Sequence, residues 1–421
     1  MTLPDDVPTA PASATEPRRF DRFSLGMYGA FLLWGWLLYA FGPVIQILGR
    51  EVGFTAAQIG LHGTAMAAGT ALAGGALAAV VGVLGRRGAL VLGAALVAVG
   101  AAGLALLSSL PGTLAATVVL AVGGNMAIAA AQTGLVVHHS PRPADAVTTA
   151  NGLGTLVGLL GPVAIGASVA AGFGWRPVVL STVPLGVAAI VIWLRMPASR
   201  GMTPRGPRTA AAGPGPAEAG PAGGGVLRRA VRQLPPSGWW FLLAALLGVA
   251  IESATTFWAL TLITERTSAG TAVAAAATAA FVGGMATSRL VSWWFTARWT
   301  PARLVVAAFG VNALGWLVLW LATSPTVAVL GLAVAGMGCG LLYPFAASLM
   351  LATARGSKDS AQGLIMVSLG VAVAIVPFVL GVLADAVGVH LAFTLIPALA
   401  AVGAVAAALG AATHRPSAPG A

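Results

Sequence analysis

Apolar residues run through this chain in long stretches, broken by short polar joints that carry proline, glycine and arginine. A helix needs about 20 apolar residues to cross roughly 30 Å of hydrocarbon. By that measure the pattern predicts twelve spans. Six lie near 24–47, 57–81, 88–108, 112–138, 145–171 and 177–195. Six more lie near 238–263, 270–296, 302–322, 326–353, 360–385 and 390–412. Between the two sets runs "PASRGMTPRGPRTAAAGPGPAEAGPAGGG", a Pro-, Gly- and Ala-rich stretch that reads as a flexible linker. The "VLRRAVRQL" that follows reads as a short basic helix on the membrane surface. The predicted organisation is a disordered tail at 1–23, a six-helix bundle at 24–196, a linker at 197–237, a second six-helix bundle at 238–413 and a tail at 414–421.

Composition agrees with a polytopic membrane protein. Of 421 residues, 58% are hydrophobic and 8% charged, against about 25% charged in an ordinary soluble domain. The mean hydropathy is +0.92. A pI near 11.5 invites a nucleic-acid reading, but the arginines sit in short joints between spans, where topology wants them. With a cytoplasmic N-terminus, 19 of the 22 Lys and Arg fall on the inner side, leaving Arg50, Arg176 and Arg266 outside. Both termini are therefore expected in the cytoplasm of a bacterial inner membrane. The single cysteine, Cys339, leaves no intramolecular disulfide and no cysteine cluster for a metal. No phosphate-binding loop survives inspection, since the Gly-rich runs lie inside spans and lack a following Gly-Lys-Ser/Thr. An enzyme and a cofactor are not expected, and transport would be driven by a gradient.

The two sets of spans look like copies. Pro111 and Pro325, Gly124 and Gly338, and Gly174 and Gly388 are each 214 apart, while Pro162 and Pro377 are 215 apart. Parallel repeats of this kind put a substrate site between the halves, near the bilayer midplane.

One acid stands out. Glu252, in "GVAIESATTFWAL" of span 7, is the sole Asp or Glu placed deep in a span, with no arginine expected at its depth. A carboxylate there carries a proton, attracts a cationic substrate, or ties two helices as a neutral acid. It shares a helical face with Thr255 and Thr256.

The 6 + 6 layout and several local signatures resemble the major facilitator superfamily of secondary transporters, over residues 24 to 413. "GVLGRRGALVLG", between spans 2 and 3, is similar to the family's acidic-basic loop at Gly82, Leu84, Arg87 and Gly88, but Gly85 or Arg86 stands near the place of its aspartate. "GGMATSRLVSWWFTARWTPARLV" keeps Arg289 and two loop arginines. "GFGWRP" resembles the family's Gly-Trp-Arg, and "GLGTLVGLLGPVAIGAS" a partial antiporter signature with Gly161 and Pro162. The resemblance implies twelve helices in two pseudo-symmetric bundles, with spans 1, 4, 7 and 10 lining a central cavity. On those spans, Tyr39, Asn125, Gln132, Thr255, Thr256, Trp258 and Tyr343 become expected substrate contacts, although Asn125 and Gln132 also suit helix–helix bonding. Arg86, Arg87, Arg289, Gly161 and Pro162 become gating or structural positions. His138 and His139 point to different faces and make no metal site.

The expected function is secondary transport by a monomer embedded in lipid and coupled to the proton gradient, with efflux of a small neutral or cationic apolar compound. Two alternatives stay open: a proton-linked importer of a neutral nutrient such as a sugar, and a non-transporting receptor or scaffold.

Overall fold

A computed structural model describes residues 20–139, 144–197, 231–232, 234–354 and 358–413. The expected N-terminal tail up to residue 19, most of the linker with its basic helix, and the C-terminal tail lie outside the described residues.

The described chain is all-α. Span 1 is two helices, Arg22–Leu38 and Phe41–Val52, interrupted at Tyr39 and Ala40. Pro43 explains the break, because it cannot donate to the carbonyl four residues earlier, that of Tyr39. Spans 2 and 3 form Ala56–Leu106, divided at Gly85, whose φ of 69° lets the chain turn back. Spans 4 and 5 are Leu110–His138 and Ala144–Ala170, and span 6 is Arg176–Leu180 with Thr182–Arg195. In the second half, spans 7 to 10 are Pro236–Arg266, Thr271–Leu290, Pro301–Leu321 and Pro325–Thr353. Span 11 is Lys358–Val387, and span 12 is Val389–Ala392 with Leu395–Thr413. Starts are marked locally: Asp21, Thr55, Ser109 and Ser324 accept from first-turn amides, and Pro236, Pro301 and Pro325 occupy first turns where no N–H partner exists.

Eleven of the described helical stretches are long and apolar enough to cross a membrane. The part of Ala56–Leu106 before residue 79 is not one of them. It carries Gln58, His62, Thr64 and Thr70, and its polar atoms are bonded: His62 reaches the Gln58 carbonyl at 2.9 Å and Thr113 at 3.0 Å.

The duplication is visible in packing. Gly100 admits the Leu120 backbone, and Gly315 admits that of Ala335. Gly123 faces Gly93 and Val97, while Gly338 faces Ala308 and Asn312. Gly69 lies on Val118, and Gly284 on Ala333. Every one of these contacts recurs at an offset of 215. The partner of Gly338 is therefore Gly123, which corrects the sequence pairing with Gly124. Gly124 instead provides the flat seat for the Trp34 ring.

The halves meet through the same offset. Gln46 bonds Thr261, Arg50 is electrostatically coupled to Glu265, and Gly42 admits Phe257. Each pair is 215 apart, so spans 1 and 7 cross on the pseudo-twofold axis. On either side, Gly166 of span 5 receives Ala272 of span 8, and Gly381 of span 11 receives Ala56 and Ala57 of span 2. All these contacts lie on the half of the molecule away from the termini. There the two bundles are pressed together, and the structure is closed at that far end.

Candidate functional site

Just beneath the closure lies a cavity of about 280 Å³. Leu38, Tyr39, Phe41 and Gly42 line it from span 1, Gly63 and Met66 from span 2, and Val373 and Pro377 from span 11. Span 7 contributes Val249, Glu252, Ser253, Thr256 and Phe257. The break in span 1 puts Tyr39 at its wall.

The polar atoms share one property. The Thr256 hydroxyl donates to the Glu252 carbonyl at 2.8 Å, and that of Ser253 to the Ala250 carbonyl at 3.1 Å. Tyr39 is hydrogen-bonded to Thr155, whose own hydroxyl donates to the Asn151 carbonyl at 3.0 Å. The Ser253 and Thr256 hydroxyl protons are spent on protein, and what these two side chains offer the cavity is acceptor capacity. An ionised Glu252 adds acceptors only.

Glu252 is not electrostatically alone, as the sequence suggested. Arg289 of span 8 is close enough for its charge to act on Glu252, although no direct ion pair joins them. Linear position had put Arg289 near the inner end, and its long side chain reaches inward. Its Nε donates to the Gly340 carbonyl at 3.0 Å. Pro344 lies four residues on and has no N–H for that carbonyl, so Arg289 fills a vacancy that a sequence proline created.

The other expected contacts separate. Thr256 and Tyr39 line the cavity with Glu252, and Thr255 does not: it is fully buried and donates to the Ile251 carbonyl at 2.7 Å. Trp258 is also buried, its Nε1 donating to the Pro377 carbonyl of span 11, within the same half, at 3.1 Å. Asn125 bonds Thr70 of span 2 at 3.0 Å and the Ala121 carbonyl at 2.9 Å. Gln132 is exposed, and the backbone of Tyr343 passes beside Gly248. None of these five is among the residues that line this cavity. Arg87 donates to the Met196 carbonyl, and Arg86 is buried. Gly161 seats the Trp36 carbonyl and Ala40, and Pro162 follows inside the span 5 helix.

Sequence reasoning missed the contribution of spans 2 and 11. Gly63 and Pro377 were its available signals, because a Cβ at Gly63 would stand 3.1 Å from the Pro377 ring. Asp385 stands at the end of span 11. It caps span 2 from the other half, accepting from the Ala56 and Ala57 amides at 2.8 Å each. The two histidines at the end of span 4 bind protein groups: His138 meets Asp21 and His139 meets Ser24, both at 2.6 Å.

Comparison with known proteins follows this geometry. A family model described as Major Facilitator Superfamily matches residues 27–294. No curated protein matches the chain in sequence. Among solved structures, the nucleoside transporter NupG superposes with a TM-score of 0.73 at 13% identity, covering 94% of this chain and 99% of that one. A bacterial homolog of the human lysosomal transporter Spinster, inward-facing and unoccupied, gives 0.71 at 16% identity, covering 93% and 96%. A D-xylose–proton symporter gives 0.69 at 14% identity, covering 92% and 96%. At such identities the likeness is one of fold.

Proposed function

The chain belongs to the Major Facilitator Superfamily, and from that premise we propose that it is a proton-coupled exporter of a small apolar compound bearing N–H donors and a positive charge. Glu252 is the coupling group. It holds a proton or the substrate's cation, and the competition between them couples their opposite movements. The observation that carries this reading is the cavity lining. Glu252, Ser253 and Thr256 present acceptors, and much of the remaining wall, including Leu38, Phe41, Met66, Phe257 and Pro377, is apolar. Such a surface suits an aryl or alkyl cation and disfavours an anion, whose oxygens would meet acceptors. Closure at the far end and the duplicated bundles support alternating access.

A second reading, import of a neutral nutrient with a proton, draws on the printed descriptions of relatives in fold, which include a D-xylose–proton symporter and a nucleoside transporter. A polyol needs donors as well as acceptors around it, and here the Ser253 and Thr256 donors are already used.

Benzylguanidinium tests the choice: its ring suits the wall, its N–H groups suit the acceptors, and its charge persists at neutral pH. In proteoliposomes it should drive protons against its own movement. Proton movement in the same direction as xylose or a nucleoside, with none for benzylguanidinium, would favour the importer.

A further inference from the structure

Three residues of the second half depart from its copy in the first. The offset of 215 puts Leu37, Gly74 and Ala129 where the second half has Glu252, Arg289 and Pro344. The acid, the base and the helix-breaking proline therefore stand in one half only, and the structure brings their surroundings together. Gly340 is pressed so closely on span 8 that a Cβ there would stand 2.6 Å from the Met285 carbonyl oxygen. Its neighbour Cys339 lies against the Gly248 carbonyl of span 7 at 3.9 Å. Gly248 is one turn before Glu252. Spans 7, 8 and 10 thus converge where Arg289 takes the carbonyl that Pro344 leaves open.

We propose that Arg289 is a positioning residue that carries the charge state of Glu252 to the bend in span 10. When Glu252 is protonated, Arg289 rests on the Gly340 carbonyl, as it does here. When Glu252 ionises, the guanidinium is drawn toward the carboxylate, the Gly340 carbonyl loses its partner, and the helix hinges at Pro344. The hinge is the element that such a device requires, since a Pro-containing helix lacks the hydrogen bond that would resist bending. The other titratable groups coupled to Glu252 are Tyr39 of span 1 and Cys339 of span 10. Among the described residues, spans 2 and 11 present Gly63, Met66, Val373 and Pro377 to the cavity. Arg289 is thus the cationic partner available to follow the charge.

This inference rests on the coupling role of Glu252, so the test separates the two. Spin labels at Leu290→Cys and Ser348→Cys, both exposed positions, report the span 8 to span 10 distance in the full chain in nanodiscs, in a Cys339→Ala background. The wild-type sequence should shift between two distance populations as pH is raised. Glu252→Gln should stay in the low-pH population at every pH. Arg289→Gln and Pro344→Ala should each lose the shift, the latter because an N–H at residue 344 restores the helical bond to Gly340. Arg289→Lys should retain part of it. If both Arg289→Gln and Pro344→Ala shift like the wild type, the relay is wrong. No pH-driven shift in the wild type, alongside proton coupling abolished by Glu252→Gln, overturns the relay and leaves the function standing. Proton coupling that survives Glu252→Gln removes the coupling role, and the relay with it.

Discussion

Thr255 and Thr256 show what a single residue's position decides. They are adjacent on span 7 and alike in chemistry, and the sequence put both beside Glu252. Helical geometry separates neighbours by 100°, so Thr256 faces the cavity while Thr255 is buried against protein. Thr255→Val should leave benzylguanidinium binding unchanged. Thr256→Val removes a cavity acceptor and should weaken binding by roughly tenfold, about 1.4 kcal/mol, measured by thermal shift against ligand concentration. Outside the membrane, burial works to raise the Asp21 carboxyl, but hydrogen bonds from His138 and Ser24 together hold it below its ordinary value of 3.8. A depressed carboxylate stabilises the fold above its unfolded value and loses that contribution as pH falls through the folded one. Protection of the Ser24 amide from hydrogen exchange should therefore be flat above pH 3.8 and fall below it. Asp21→Asn, losing the charge-assisted bonds at this cap, should reduce that protection at neutral pH, by about 1 kcal/mol in free energy.

Among the elements, those that cross a membrane were legible because hydrocarbon demands long apolar runs. The twelve expected spans are present as helices with ends close to those read. Breaks within them were less legible. Pro43, Pro344 and Pro377 were visible in the sequence, but which carbonyl each frees, and what fills it, depends on a neighbouring helix. Arg289 on Gly340 could not be read from spacing within one helix. Glycines behave likewise. Gly85→Ala should cost about 1–3 kcal/mol, since its positive φ strains any side chain there, and should lower the melting temperature in detergent. At Gly166 a Cβ would stand 2.5 Å from the Ala272 carbonyl oxygen of the opposite half. Gly166→Ala should therefore wedge the far end apart rather than unfold the bundle. Labelling of Gln46→Cys by a membrane-impermeant thiol reagent from the far side should rise in that background.

For the whole molecule, duplication explains both what the sequence revealed and what it hid. An offset near 215 gave the two bundles and the cavity between them. It did not show that spans 2 and 11 complete the cavity wall, because that contact joins elements more than 300 residues apart. The two edges of the far-end closure repeat the same glycine contact, but Asp385 caps one edge while Ala170 stands at its counterpart. On the proposed function, these departures from symmetry carry the transport chemistry, with Glu252 foremost. The central claim is that this carboxylate links proton and substrate. The direct measurement is lumenal pH in proteoliposomes carrying the wild type or Glu252→Gln, on addition of benzylguanidinium. The wild type should move protons opposite to the cation, and Glu252→Gln should move none. An undiminished pH change in Glu252→Gln would contradict the account.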